Sequence, residues 1–375
     1  MPALRLRSGQ APAGIQGSLC LGNPLRPLFR QRANYAQSSV KRCKRYLGGL
    51  TMTKVCIAFA GSAGLGGFPD FPSALAQQLQ AEFPATTVTL LQDPKRRREE
   101  FVDAEVLFVL RLSPEDFKAA RQLKWLHLPS AGATHVLFPE LVDSQVIVTN
   151  SRGLHAIPIA EHVLGVMIIL ARKLHEAYRL QLEGKWARRE MFDRYPTFSE
   201  LHGQTAGIIG LGSIGLAVAE RVKALGMRVV ASKRTVGTLP ACVDELGGPE
   251  SLPRLLQMSD FVIVAAPLTP ETRGLIGERE LRLMKPTAYI LNVGRGAIRA
   301  LKEGWLAGAG LDVTEVEPPP AESELFHLPN VFLTPHCSGL RSHYWEHALA
   351  IFKPNLGRFL RGEPLENVVD KHGGY

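Results

Sequence analysis

Gly210, Gly212 and Gly215 follow the spacing Gly-x-Gly-x-x-Gly, in which each glycine has a physical task. The first permits a tight turn, the second lets backbone approach a pyrophosphate, and the third lets a helix pack closely on a strand. With Leu211, Ser213 and Ile214 they would hold the phosphates of a dinucleotide on the N-terminus of the following helix. Alone, the same spacing describes an ordinary glycine-rich turn, so the flanks decide. An apolar run over residues 206–209 enters the cluster, and Ile214, Val218, Val222 and Leu225 recur at helical spacing after it. Gly226 supplies a helix stop, and residues 227–232 read as a second buried strand. The unit is therefore βαβ. The acid expected about 20 residues on, which would bind a ribose 2′-hydroxyl, is absent; Lys233 and Arg234 stand there. Two cations suit a 2′-phosphate, which points to NADPH over NADH, against the plainer reading of a solvated loop pair.

The rest of the chain supplies the scaffold for such a unit. From Lys54, short apolar runs (55–60, 87–91, 106–110, 125–128 and 145–148) alternate with helical patterns over 71–83 and from Ser113, where Ser113 and Asp116 make a capping box. This is an α/β pattern with a parallel sheet, complete before the glycine cluster begins. Residues 158–180 are apolar on more than one side, so they should be a helix buried between domains or subunits. A charged, aromatic-bearing loop follows over 183–202. Three more buried strands are expected at 261–265, 288–293 and 309–313, and a last at 331–334.

Composition bounds the function. The chain has 375 residues and a formal charge of +9, which invites a nucleic-acid reading. All of that excess lies in residues 1–52, which hold nine Lys or Arg and no acid, whereas the remainder balances 35 basic residues against 35 acidic ones. An acid-free, Arg-rich, Ser-containing leader without a long apolar region reads as a transit peptide for the mitochondrion or the chloroplast. A nuclear signal over 41–45, or a cytoplasmic protein starting at Met52, are the rival readings. No nucleic-acid partner and no membrane partner are expected. The five cysteines are scattered without a Cys-x-x-Cys pair, so neither a disulfide framework nor a structural metal site is indicated.

Several stretches together resemble the D-isomer-specific 2-hydroxyacid dehydrogenases, from about Lys54 to Tyr375. They are Ser130-Ala131-Gly132, TNSRGLHAIPIAEH, GIIGLGSIG, PLTPETRGLIG, NVGRG, LDVTEVEP, LTPH and NVVDKHGGY. The resemblance implies two Rossmann-like domains: a flavodoxin-like substrate domain from residues 53–152 and 344–375, and an NAD(P)-binding doubly wound parallel sheet from 153–343. It implies hydride transfer between a nicotinamide and a small 2-keto or 2-hydroxy acid, with glyoxylate or hydroxypyruvate as candidates, in a homodimer. It assigns three catalytic roles. Arg295 would clamp the substrate carboxylate bidentately and polarise the carbonyl. His336 would exchange the proton of the carbonyl oxygen. Glu317, preferred over Glu315 on motif position, would stand behind that histidine and favour its imidazolium form.

The same resemblance gives the backbone N–H groups of Ser130, Ala131 and Gly132 to the substrate carboxylate. It turns Asp312 toward the nicotinamide carboxamide and lines the cofactor cleft with Pro267 and Leu268. Arg152, Trp186, Tyr344 and Trp345 are candidates for shaping the pocket, set against the plainer reading that aromatic residues simply pack. After Ile298 the chain runs directly into Arg299 and on to Gly304, where relatives carry about seven further residues, roughly 10 Å of helix. Formate- or phosphite-oxidising relatives share the fold, but a carboxylate behind the histidine points away from them. A non-catalytic dinucleotide-sensing protein is the alternative from a different class.

Overall fold

The computed structural model describes residues 52–59, 70–195, 198–267, 269, 271–292, 304–314 and 316–374. Two parallel sheets organise them. The first contains β1 (Thr53–Ala58), β2 (Thr86–Leu91), β3 (Val106–Val109), β4 (Trp125–Leu128) and β5 (Ile147–Asn150) in the order β2-β1-β3-β4-β5. Val106, Leu107, Phe108 and Val109 are wholly buried. A strand covered on both faces needs a continuous apolar run, and this is why the sequence pattern reads clearly here.

The second sheet has seven strands. They are β6 (Thr205–Ile209), β7 (Arg228–Ser232), β8 (Glu245–Gly247), β9 (Phe261–Val264), β10 (Tyr289–Asn292), β11 (Gly308–Leu311) and β12 (Val331–Leu333), in the order β12-β11-β10-β9-β6-β7-β8. The order reverses between β6 and β9. That reversal opens a crevice beyond the strands' carboxyl ends, where ligands of open parallel sheets bind. The three-residue edge strand β8 carries no apolar run that would mark it in the sequence; its register is set by pairing Glu245, Leu246 and Gly247 with Val230, Ala231 and Ser232. The segment expected to be short, from Ile298 to residue 303, lies outside the described residues. Its two flanking strands nevertheless pair in parallel from Tyr289 opposite Gly308 to Asn292 opposite Leu311.

The apolar stretch expected as one helix over 158–180 is two. Helix Ala156–Ala171 ends at Arg172, Lys173 takes a left-handed conformation with φ of 54°, and helix Leu174–Leu182 starts afresh. Lys173 is held there by donating to Tyr289 Oη at 2.7 Å, a partner that the local sequence does not announce. The first helix packs within the second sheet's core: Ala160, Val163 and Met167 join Ala217, Val218 and Val222 of helix Ser213–Ala224 in one buried cluster. The expected loop over 183–202 contains a further helix, Arg188–Arg194. Leu225, expected on the apolar stripe, is the C-cap and is 39% exposed.

The chain returns to the first sheet through helix Tyr344–Leu360. Phe352 of this helix stacks on Trp125 with ring centroids 4.9 Å apart. The segment after this helix closes on β5, with Val369 N–H donating to Val148 O at 2.8 Å and Asn150 N–H to Asn367 O at 3.2 Å.

His127 in β4 is fully buried, with Nδ1 2.7 Å from Thr149 Oγ1 and Nε2 3.1 Å from Ser151 Oγ. Burial pushes its pKa down to about 3, so the folded chain keeps this ring neutral while the unfolded chain protonates it near pH 6.5. Its contribution is therefore constant above pH 6.5 and turns against the fold as pH falls from 6.5 toward 3. At pH 4.5 the cost is about 3 kcal/mol. His127→Gln should show a flatter fall in urea midpoint between pH 6.5 and 4.5 than the parent; parallel curves would contradict this account.

Candidate active site

The glycine turn sits at the carboxyl end of β6, at the point of strand reversal. Gly210 has φ of +95°, and a Cβ there would lie 2.6 Å from Ala266 N, in the loop leaving β9. The loops after β6 and β9 thus touch, which only glycine allows. At Gly215 a Cβ would lie 2.3 Å from Gly210 O, so the helix starts hard against the turn. Gly212, by contrast, faces open space, with nothing within 4 Å of a built Cβ. Two glycines are needed by the protein itself and the third leaves room for something else. This is the cradle a pyrophosphate requires, with the N–H groups of the helix beginning at Ser213 behind it. Ser213 is exposed, Ile214 half-buried and Leu211 buried.

At the end of β7, Ser232 O accepts from the N–H groups of Gly210 and Leu211 at 3.0 and 3.2 Å. Lys233 and Arg234 follow directly and both are exposed. The carboxyls nearby are held below the usual range: Glu271 first by the Thr269 hydroxyl and Asp370 first by the Gly373 N–H, with the Arg234 charge adding to each. Pro267 is exposed beyond β9, and its carbonyl accepts from Thr272 Oγ1 at 2.5 Å.

At the ends of β11 and β12 the expected pair comes together. His336 Nδ1 lies 2.7 Å from Glu317 Oε2. A carboxylate accepts, so Nδ1 carries the hydrogen and Nε2 is left for the open side, with the imidazole side chain 59% exposed. The other carboxylate oxygen, Oε1, accepts from Thr314 N–H at 3.1 Å, so Glu317 is fixed at both ends. His336 itself has φ of 50°, a conformation costly for a residue with a side chain and characteristic of functional sites. Its N–H donates to Asp312 O at 2.9 Å and Thr334 O at 3.0 Å, which over-determines the turn.

Asp312 is only 3% exposed. Its Oδ1 accepts from Thr334 Oγ1 at 2.7 Å and Cys337 N–H at 3.0 Å, and its Oδ2 from Ser338 N–H at 3.1 Å. Burial pushes its pKa up, but the hydrogen bonds from Ser338, Thr334 and the Cys337 N–H outweigh it and hold the carboxyl below its ordinary range. The residue that the family resemblance turns toward a carboxamide thus also anchors both sides of the His336 turn. His162, in helix Ala156–Ala171, adds a contact from Nε2 to Thr334 Oγ1 at 3.2 Å. Thr334, His162 and Ser338 were not singled out in the sequence. One signal was available: His162 and Glu161 are the polar pair in an otherwise apolar helix.

The loop after β4 belongs to the first sheet. Its three carbonyls are all engaged: Ser130 O by Ser151 N–H at 3.0 Å, Ala131 O by Asn150 Nδ2 at 2.6 Å, and Gly132 O by Ser130 Oγ at 2.9 Å. A trans peptide sets N–H opposite C=O, so the N–H groups of Ala131 and Gly132 point away from these bonds, and both residues are exposed. Tyr344 ties the loop to the returning helix by donating from Oη to Pro129 O at 2.8 Å.

Arg295, Leu268 and Glu315 lie outside the described residues. Of the four pocket-shaping candidates, Trp186 is 95% exposed. Trp345 is 3% exposed and packs against Phe59, with centroids 4.4 Å apart. Tyr344 is buried with its hydroxyl used as above. Arg152 reaches Asn367 Oδ1 at 3.5 Å.

Residues 164–338 match the family model described as the NAD binding domain of D-isomer specific 2-hydroxyacid dehydrogenases. A glyoxylate reductase of Thermococcus gammatolerans is 39% identical over 281 residues, covering 72% of this chain and 83% of the relative. Among solved structures, the chain resembles an NADPH-dependent glyoxylate/hydroxypyruvate reductase from Sinorhizobium meliloti in complex with NADP and sulfate (TM-score 0.70, 26% identity, 86% of this chain and 100% of that one). It also resembles a D-isomer specific 2-hydroxyacid dehydrogenase family protein from Aeromonas salmonicida (TM-score 0.69, 28% identity, 86% of this chain and 100% of that one).

Proposed function

This chain belongs to the D-isomer-specific 2-hydroxyacid dehydrogenases and is an NAD(P)-dependent oxidoreductase acting on a CH–OH donor; from that premise we propose that it works mainly as an NADPH-preferring reductase of small 2-keto acids, glyoxylate or hydroxypyruvate. The observation that carries the catalytic part is the His336–Glu317 pair, 2.7 Å apart on a left-handed turn in the same sheet as the glycine cradle. When bound, the reduced nicotinamide supplies the hydride. Gly210, Leu211, Gly212, Ser213, Ile214 and Gly215 would hold its pyrophosphate, Lys233 and Arg234 its 2′-phosphate, and Pro267 and Asp312 would border the nicotinamide half.

His336 carries the proton at Nε2 and gives it to the carbonyl oxygen, becoming a neutral imidazole that keeps its Nδ1–H on Glu317. The charge of Glu317 stabilises the imidazolium before transfer, and its two hydrogen bonds keep the ring from turning away. The N–H groups of Ala131 and Gly132 offer the substrate carboxylate a nest. Arg295 is proposed as the second carboxylate clamp on the motif residues 292–296 alone.

The molecule is also proposed to be a homodimer. Leu182, Trp186 and Phe192, which are 71%, 95% and 53% exposed, cluster in sequence around helix Arg188–Arg194 and give a partner apolar surface to cover.

The test follows oxidation of NADPH and NADH with a panel of 2-keto acids, comparing the parent chain with the Lys233→Ala, Arg234→Ala double variant. Each lost charge-assisted contact is worth about 1.5–3 kcal/mol, so KM for NADPH should rise at least about tenfold, while KM for NADH changes little. Equal losses with both cofactors would remove the 2′-phosphate assignment. Cofactor binding without turnover on any keto acid would instead favour a dinucleotide-sensing protein.

A further inference from the structure

We propose that His162, Asp312 and Cys337 form a binding site for a thiophilic divalent cation such as Zn²⁺ or Cd²⁺, placed directly behind the His336 turn. The three residues come from a helix, a strand end and a loop, yet a ring nitrogen of His162, a carboxylate oxygen of Asp312 and Cys337 Sγ all lie within 4.8 Å of one another. His162 Nε2 and Asp312 Oδ1 are 3.9 Å apart. A tetrahedral zinc with Zn–S of about 2.3 Å and Zn–N or Zn–O of about 2.0–2.2 Å needs its donors roughly 3.3–3.8 Å apart. The widest gap therefore closes by about 1 Å of side-chain rotation.

The donor set fits the class of ion. Sulfur and imidazole select zinc-like metals over magnesium or calcium, and a carboxylate with a thiolate balances a double charge. Three protein donors leave a fourth position for water. Asp312 is anionic and 3% exposed, and the side chain of His162 is 19% exposed, so the ion would be shielded from competing solvent. Its hydroxyl neighbour can give way: Thr334 Oγ1, which bonds Asp312 Oδ1 at 2.7 Å, has Leu311 O as a second acceptor at 3.5 Å. In the metal-free chain the Thr334 hydroxyl donates to Asp312, so His162 Nε2–H donates to Thr334. Binding moves that imidazole proton to Nδ1 and releases the Cys337 thiol proton to solvent, as the metal–sulfur bond forms.

The consequence reaches the proposed chemistry. Cys337 and Ser338 give their N–H groups to Asp312 and directly follow His336, so drawing Asp312 and Cys337 onto a metal shifts the turn that aims the imidazole. Zn²⁺ should therefore slow turnover. This second effect rests on the reductase reading; binding itself does not.

The experiment titrates the full reduced chain with Cd²⁺ and follows the ultraviolet thiolate-to-cadmium charge-transfer absorbance, with thermal melts to establish that each variant folds. The expected result is a saturable band that Cys337→Ser abolishes, with apparent affinity at least about tenfold weaker in His162→Gln. A band unchanged in Cys337→Ser would assign the metal to another cysteine and overturn the proposal, as would a His162→Gln affinity within twofold of the parent. Zn²⁺ should then slow keto-acid reduction in the parent and not in Cys337→Ser; equal slowing of both would overturn the link to the turn. Failure of the reductase reading would leave the absorbance result standing, which separates the two.

Discussion

Replacing His336 with asparagine is expected to lower kcat for 2-keto acid reduction by about 10²–10⁴-fold, the usual worth of a positioned acid/base, while NADPH binding followed by fluorescence stays within about twofold. Asparagine keeps a polar group at the turn and readily adopts the left-handed conformation that His336 shows at φ of 50°, so the fold should survive. Glu317→Gln should cost less. Its amide oxygen still accepts from Nδ1–H, and what is lost is the charge that stabilises imidazolium at a distance of 2.7 Å. If His336→Asn turned over keto acids at the parent rate, the proton path through Nε2 would be wrong. If it lost NADPH binding together with turnover, His336 would be a structural residue.

The glycine turn gives the second large effect, and it separates folding from binding. Gly210→Ala puts a Cβ 2.6 Å from Ala266 N on a backbone with φ of +95°, and Gly215→Ala puts one 2.3 Å from Gly210 O. Neither backbone obstacle can swing aside as a side chain would. Overpacking of this kind costs about 1–3 kcal/mol, a drop in Tm of about 1–4 °C for a chain of this size, and cofactor binding should fail with it. Gly212→Ala meets nothing within 4 Å. It should keep the parent Tm within about 0.5–1 °C and still weaken NADPH by tenfold or more, because the added methyl enters the space given to the pyrophosphate. Calorimetry and fluorescence titration on the three variants decide this. Loss of stability in Gly212→Ala, or full NADPH affinity in that variant, would contradict the cradle.

Much of this architecture is legible in the chain itself. Residues 106–110 and 261–265 announce buried strands because a parallel strand covered on both faces has no polar face to interrupt the run. The glycine spacing was legible because steric demands at a tight turn act over neighbouring residues. Edge strand β8 was not, since its residues are half-buried and its pairing with β7 replaces any local signal. Nor was the break at Lys173, where a hydrogen bond to Tyr289 stabilises a left-handed residue within an otherwise continuous helical pattern. The exposed setting of Trp186 was equally hidden, because exposure of an aromatic residue is decided by what surrounds it in space.

The sequence by itself determined that two parallel sheets would form, that a dinucleotide turn would follow Ile209, and which residue types could clamp, donate and balance charge. Periodicity and steric need are local properties, and they survive in a one-dimensional chain. Only the tertiary structure decided that Glu317 meets His336 through Nδ1 and so leaves Nε2 for chemistry. It also decided that Asp312 anchors the turn through Thr334, Cys337 and Ser338, and that His162 arrives beside Thr334 from a helix position 172 residues earlier. Hydrogen bonds are short and directional, so which groups share one is settled by the positions of distant strand ends, and no spacing along the chain encodes those positions directly.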